Sequence, residues 1–319
     1  MKNKFFTLYS YCRTIEGRDF SIVLDLQRTR YIKIPPFLRE ILFEYLDLPV
    51  SEIVDLYKDD QGHILSYLEH LENDKFGFFT DNPEQYPPIN LTWRSPGVLN
   101  NAILEISDLV EYDYADIISQ LEDLNCYHFE IWLHPGFELN ALQGVLEKFN
   151  ESLVKSFDMV IPFDEARPME DLIRFKEKCH KVNFILIYDS PAHYVDKRNL
   201  IIQKQDSLEE MTAKFDRPSE ELCINLKFFI ESLHFNPFYN QKIAIDKSGF
   251  IHNSMMTRPS YGNVKDNKIK DAVSSRSFQE LWHASNDKIE ELKDSALRYS
   301  MMSMEPIEKT DNGYRLKNK

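Results

Sequence analysis

Apolar and polar positions first alternate with a period of two, then take a helical period after Pro35, and later switch repeatedly between the two. Residues 5–34 read as strands. SIVLDL (Ser21 to Leu26) carries Asp25 inside an apolar run, and RYIKIP (Arg30 to Pro35) alternates cleanly. Gly17 with Asp19 marks one turn and Gln27 to Thr29 a second, so a hairpin is expected here. Pro35 and Pro36 open a helix whose Leu38, Ile41, Leu42 and Tyr45 share a face. Pro49 ends it, and Ser51 is the expected N-cap of a second helix. After Gly62, HILSYLEHLENDK predicts a third helix, and Gly77 to Thr80 a closing strand.

The stretch from Asp81 to Gly97 is rich in Pro and Asn and reads as a linker or ordered crossover, with a boundary near residue 90. Strands and helices then alternate. Strands are expected at 101–107, 128–134, 158–163, 181–189 and 199–204. Helices are expected between them, including one over LNALQGVLEKFNESLVK that is weakened by Gly144. This alternation predicts an α/β fold with a mainly parallel sheet forming a partial barrel. Residues 205–222 are polar and read as a link to a terminal unit. There KIAID, the turn DKSG and FIHNS make a hairpin. Phe278, Leu281 and Trp282 supply core, and Asp287 and Asp294 are expected to cap or precede short helices. The expected units are 1–90, 91–222 and 223–319.

Among 319 residues, 43% are hydrophobic and 28% charged, an ordinary globular balance. The net charge of -14 provides no basic field to displace counterions, so no nucleic-acid partner is expected, whereas a basic peptide is favoured. No segment approaches the roughly 18 apolar residues of a membrane span, and the start of the chain lacks a secretory pattern, so a cytoplasmic protein without a membrane partner is expected. Cys12, Cys126, Cys179 and Cys223 are far apart and have neither ligand spacing nor a disulfide pattern.

Ligands of parallel α/β sheets sit beyond the C-terminal strand ends. The polar residues expected there are Ser107, Asp108, His134, Asp164, Asp189 and His193. His128, His134 and His193 are the candidate metal ligands, set against the more ordinary reading of scattered surface histidines. HPGFE (His134 to Glu138) is a turn, and no glycine-rich phosphate loop occurs.

Several stretches resemble one family. LYSYC followed by SIVLDLQRTRYIKIP, the crossover FFTDNPEQYPPINL, the strands LEIS and HFEIWL, and NQKIAIDKSG, YGNVKD, FQELW, NDKIE and LRY are similar to the grasp-with-SPASM peptide maturases. More broadly, they resemble pseudo radical-SAM proteins. The resemblance spans nearly the whole chain and implies three parts. These are a winged-helix-like precursor-recognition domain, a partial radical-SAM-like (β/α) barrel, and a degenerate C-terminal SPASM domain.

The departures bear on function. The family's CxxxCxxC motif falls on SDLVEYDYAD (Ser107 to Asp116), which has no cysteine. Later cysteine positions fall on Phe235, Ser254, Leu292, Ser295, Met301 and Met304. Iron–sulfur clusters require soft thiolate ligands, so no cofactor is expected and the methionines are expected to fill vacated space. The resemblance implies a non-catalytic adaptor that binds a precursor leader peptide and assists an ATP-grasp ligase, with self-association as a homodimer left open. The leader would add as a strand along Arg30, Tyr31, Ile32, Lys33 and Ile34, with the third helix around Leu65 and Leu68 as the groove wall. The alternative is an iron-free peptide-modifying enzyme using Asp108, His134, Asp189 or His193 at the strand ends.

Overall fold

The computed structural model describes residues 4–57, 60–108, 112–214, 222–257 and 259–317. The chain opens with β1 (Phe5–Leu8), β2 (Cys12–Ile15), β3 (Ser21–Asp25) and β4 (Arg30–Ile34). Helices α1 (Pro36–Glu44), α2 (Val50–Leu56) and α3 (Gln61–Asn73) follow, then β5 (Gly77–Thr80). Strands β2, β3 and β4 form an antiparallel sheet in that order, while β5 pairs with β1 in a separate ribbon. Ser51 is not a cap. Pro49 fixes φ at -59° and the Val50 N–H bonds to the Lys4 carbonyl at 2.8 Å, so α2 starts a residue earlier and Ser51 lies inside its first turn.

One face of this sheet packs under the three helices, through Val23, Ile34, Leu38, Ile41, Ile53, Ile64 and Leu68. The other face carries Ile15, Ile22, Leu24 and Leu26 and packs on Ile224, Phe229 and Ala296 from the far end of the chain. Period-two alternation in β3 therefore serves two cores at once, and all five residues of the strand are buried. Arg18 pairs with Asp294, and Arg298 donates to the Glu16 carbonyl across the same junction. Asp294 thus holds the two ends together rather than capping a helix. Asp287 accepts from Arg298 Nε and the Tyr299 hydroxyl, each at 2.8 Å, rather than from a helix N-terminus.

The central unit alternates as its pattern predicts. Its elements are β6 (Asn101–Ile106), α4 (Tyr114–Asp123), β7 (His128–Leu133), α5 (Leu139–Leu146), β8 (Ser156–Pro162), α6 (Met169–Lys178) and β9 (Val182–Tyr188). A hairpin of β10 (Tyr194–Asp196) and β11 (Ile201–Gln203) closes one edge, before α7 (Leu208–Lys214) and α8 (Leu226–His234). Asp113 caps α4, accepting from the Ala115 and Asp116 N–H groups at 2.9 and 3.2 Å. The expected long helix from 139 stops at Leu146 and tightens into one 3-10 turn, Glu147–Phe149. There Phe149 enters the core, and Ser152 accepts the Val154 N–H at 3.1 Å.

The last part holds β12 (Lys242–Ile245), β13 (Ile251–His252), α9 (Ile269–Ser274), α10 (Arg276–Gln279), β14 (Ile307–Thr310) and β15 (Gly313–Leu316). The eight-stranded sheet runs β10-β11-β9-β8-β7-β6-β12-β13. Six neighbouring strands, β11 to β12, are parallel, and the antiparallel pairs lie at the two ends. The architecture is α/β, with a mixed sheet resembling a partial barrel. The hairpin of residues 242–252 is thus an integral edge of this sheet, with Ala244 beside Ile103.

Parallel sheets bury both faces. The outer face packs Leu104, Ile131, Met159 and Ile185 against the helices. The inner face packs Trp132, Val160, Tyr188 and Met211. Among the described residues, no helix is long and apolar enough to cross a membrane.

Candidate functional site

Strand alternation fixes which side chains line the inner face. Glu105, Trp132, Val160 and Leu186 lie at one register level across β6, β7, β8 and β9. Beyond them a 1260 Å3 cavity opens at the C-terminal strand ends. Its strand-end wall includes Glu105, Trp132, His134, Tyr188, Asp189 and Asp246. The segment after β13 and the terminal hairpin β14–β15 close it from the other side, through Met255, Tyr261, Lys309 and Tyr314.

Two histidine–carboxylate pairs stand in this cavity. His134 Nε2 lies 2.7 Å from Glu105 Oε1, with both side chains mostly buried. The other Glu105 oxygen accepts the Lys247 N–H at 3.2 Å, so the carboxylate is held at both ends. His252 Nε2 lies 3.2 Å from Asp246 Oδ2, and its Nδ1 lies 2.9 Å from the Pro259 carbonyl. The Tyr112 hydroxyl ties the two pairs together, donating to the carbonyls of Glu105 at 2.9 Å and Asp246 at 3.3 Å. Burial, with the charges of Asp246 and Glu105 behind it, pushes the Tyr112 phenol well up, so it stays a neutral donor. Burial likewise pushes the Tyr188 phenol up to about 12, and its hydroxyl donates to the Leu133 carbonyl at 2.9 Å.

Deeper on the same face lie Glu130 and Lys242. Burial raises the Glu130 carboxyl and lowers the Lys242 ammonium, the direction desolvation dictates for each. Lys242 stacks over the Phe238 ring, 4.6 Å from its centroid.

The expected strand-end residues divide into groups. His134 and Asp189 line the large cavity, and Asp189 holds a left-handed φ of 55° at the end of β9. Ser107 and Asp108 line a second cavity of 620 Å3, which His134 also touches. Asp164 pairs with Arg167 at 3.2 Å and lines neither. His193 is exposed and lines neither. His128 is exposed on the inner face, with Nδ1 2.9 Å from Ser156 Oγ. The three histidines considered as metal ligands do not meet. Among the described residues, no three His, Cys, Asp or Glu side chains form a group able to hold a metal ion. Glu105, Asp246 and His252 were not expected. The signal for Glu105 was a lone carboxylate within the apolar strand NAILEI.

Of the positions that the resemblance would assign to cysteine, Leu292 and Met301 pack with Ile289 and Leu316. Phe235 makes tilted ring contacts with Trp93 and His283, and Ser254 is buried. The motif stretch Ser107 to Asp116 lies partly outside the described residues, as does the link 205–222.

No protein-family model and no curated protein matches the chain. Solved structures of SuiB from Streptococcus suis align over 94% of this chain. The form bound to S-adenosylmethionine is 10% identical, with a TM-score of 0.29 and 93% of that chain covered. The form bound to the precursor peptide SuiA is 9% identical, with a TM-score of 0.29 and 93% covered. A further SuiB structure gives 10%, 0.30 and 94%. At these scores the likeness decides neither mechanism nor partner.

In the N-terminal unit, β4 is an outer strand: among the described residues it pairs only with β3. Its side chains are already engaged. Arg30 Nε lies 3.2 Å from the buried Asp25 carboxylate, and its guanidinium sits over Phe76. Tyr31 packs toward Ile224 and Ala296, Ile32 and Ile34 pack under the helices, and Lys33 lies over Phe20. Leu68 is fully buried in the helical core and Leu65 is partly buried against it. Leu68 therefore anchors α3 from inside rather than walling a groove.

Proposed function

We propose that this chain is a non-catalytic adaptor in ribosomal peptide maturation, binding the leader of a precursor peptide and assisting a partner ATP-grasp ligase. In this reading residues 1–90 are a winged-helix-like recognition domain, 91–222 a degenerate radical-SAM-like unit, and 223–319 a cysteine-free SPASM-like unit. The observation that carries it is the outer edge of β4, which ends a three-stranded sheet built with three helices. An extended peptide gains affinity there from main-chain hydrogen bonds, which every sequence offers, and selectivity from neighbouring side chains. Because Ile32 and Ile34 pack into the helical core and Arg30 holds the Asp25 carboxylate, the recognition is chiefly through the β4 backbone, with the exposed Lys33 and Leu65 of α3 beside it.

Calorimetric titration of the cognate precursor, with and without the ligase, tests this. Saturable binding that disappears when the leader is deleted supports the adaptor. N-methylation of alternate leader amides should then abolish binding in one register and spare it in the other, as for any added strand. Absence of binding in both formats refutes the reading.

A further inference from the structure

A further cavity, of 950 Å3, lies in the N-terminal unit between β1, β2, the C-terminal end of α1 and the crossover of residues 83–91. Neither β4 nor α3 contributes a lining residue. Its walls are mainly apolar, with Phe5, Leu42, Phe43, Leu46, Tyr86 and Leu91 among them. Phe43 and Leu46 are 58% and 46% exposed, so neither belongs to the helical core beneath α1. Pro83, Pro87 and Pro88 lack N–H groups, so the crossover offers ring faces there rather than backbone donors.

Among the described residues, Arg13 is the only cation lining this space. It is half-buried, and no carboxylate of those residues forms an ion pair with it. A guanidinium carries five N–H donors. Those of Arg13 reach only the Cys12 and Ile89 carbonyls, each at 3.4 Å, the long limit of a hydrogen bond. Its Nε–H is buried without an acceptor among the described residues. Burial pushes the guanidinium down from its usual range, and no carboxylate opposes this. Asp47 and Glu84 also line the cavity, but both are exposed to water and neither pairs with Arg13. The wall thus holds one under-satisfied positive charge among apolar groups, and such a charge is costly until it is compensated. A ligand bringing a single negative charge removes that cost. The two exposed carboxylates repel a dianion, and the apolar walls reward a hydrocarbon body.

We propose that this cavity binds a small apolar monocarboxylic acid, its carboxylate held by the Arg13 guanidinium and its hydrocarbon chain lying along Leu42, Phe43, Leu46 and Tyr86. Planar guanidinium and carboxylate match each other in a two-bond pair. The hydroxyls of Thr7, Ser10 and Thr14 line the same cavity and supply further donors.

The test uses the full chain with octanoate, 1-octanol and octyl phosphate, followed by calorimetry. None of these probes is a peptide and the cavity excludes β4, so the outcome is separate from that of the adaptor reading. Octanoate should bind saturably and at least about tenfold more tightly than 1-octanol, the worth of one charge-assisted pair. Octyl phosphate, a dianion at pH 8, should bind more weakly than octanoate. Arg13→Met should erase the preference for octanoate over 1-octanol. Leu46→Ala, at an exposed position, should weaken both ligands alike by about fivefold. No saturation by octanoate, affinity equal to that of 1-octanol, or tighter binding of octyl phosphate overturns the proposal. So does a preference that survives in folded Arg13→Met, or undiminished binding to Leu46→Ala. If Arg13→Met fails to fold, NMR of the wild-type Arg13 Nε–H decides: a resonance moved by octanoate supports the site, and an unmoved one rejects it.

Discussion

Asp25 is the perturbation from which most can be learned, because one fully buried carboxylate organises the hairpin that presents β4. Its Oδ1 accepts the backbone N–H groups of Gln27 at 3.2 Å and Arg28 at 2.9 Å, and so shapes the turn. Its Oδ2 receives Arg28 Nη1 and Arg30 Nε, each at 3.2 Å. Asp25→Ala removes all four contacts. Each backbone N–H bond to a charged acceptor contributes about 1.5–3 kcal/mol when dry. Both arginines are substantially exposed and rehydrate, so their ion pairs add little. Water entering the vacated turn offsets part of the remainder, leaving an expected cost of about 3 kcal/mol. Asp25→Asn keeps a neutral acceptor for the two amides and should lose about half as much.

Native-state hydrogen exchange suits this prediction, since it reports the opening of individual segments in a chain too large to assume a single transition. Amides of β3 and β4 should exchange about a hundredfold faster in Asp25→Ala, at about 1.4 kcal/mol per tenfold change. Amides of β7 and β8 should keep their protection. A change below about threefold in β3 and β4 would refute the reasoning, because it would mean that desolvation of Asp25 already cancels its contacts. If the leader adds to β4, the same variant should weaken leader binding in parallel.

Other outcomes follow from single positions. Leu68→Ala should cost about 2–5 kcal/mol in urea unfolding while Leu65→Ala costs far less, since Leu68 alone is fully buried. In Gly17→Ala the added carbon would lie 2.6 Å from the Ala296 nitrogen and the Phe20 carbonyl oxygen; an expected loss of about 1–3 kcal/mol should appear as faster proteolysis at the junction of the two chain ends. Burial, aided at Cys12 by the charge of Asp25, pushes the thiols of Cys12, Cys126 and Cys179 up to about 12. A thiol reagent at pH 8 should therefore label Cys223 alone in the native protein and all four cysteines after denaturation. Because those three folded-state values are raised, the thiols' contribution to stability is complete below an unfolded thiol pKa of about 8.5 and is lost as pH rises toward 12. Alkaline unfolding curves should show this decline.

Local order was written in the sequence. The period-two run through SIVLD, the helical spacing of Leu38, Ile41 and Leu42, and the strand–helix alternation from Asn101 to Tyr188 each state which face is apolar, and burial follows. The sequence also put His134 and Asp189 at strand ends, because ends follow from where each apolar run stops. It could not show which ends meet. Asp246 and His252 come from a hairpin more than a hundred residues away that joins β6 in parallel. Pairing between distant strands depends on loop closure and on the shape of the whole core, neither of which leaves a local pattern. The same holds for Leu68, whose helical spacing fits either a groove or a core until the sheet beneath it is in place. Composition and periodicity determined the elements and their apolar faces. Only the tertiary structure decided that Glu105 would hold His134 and that a cavity would open beside them, because both depend on residues brought together from separate parts of the chain.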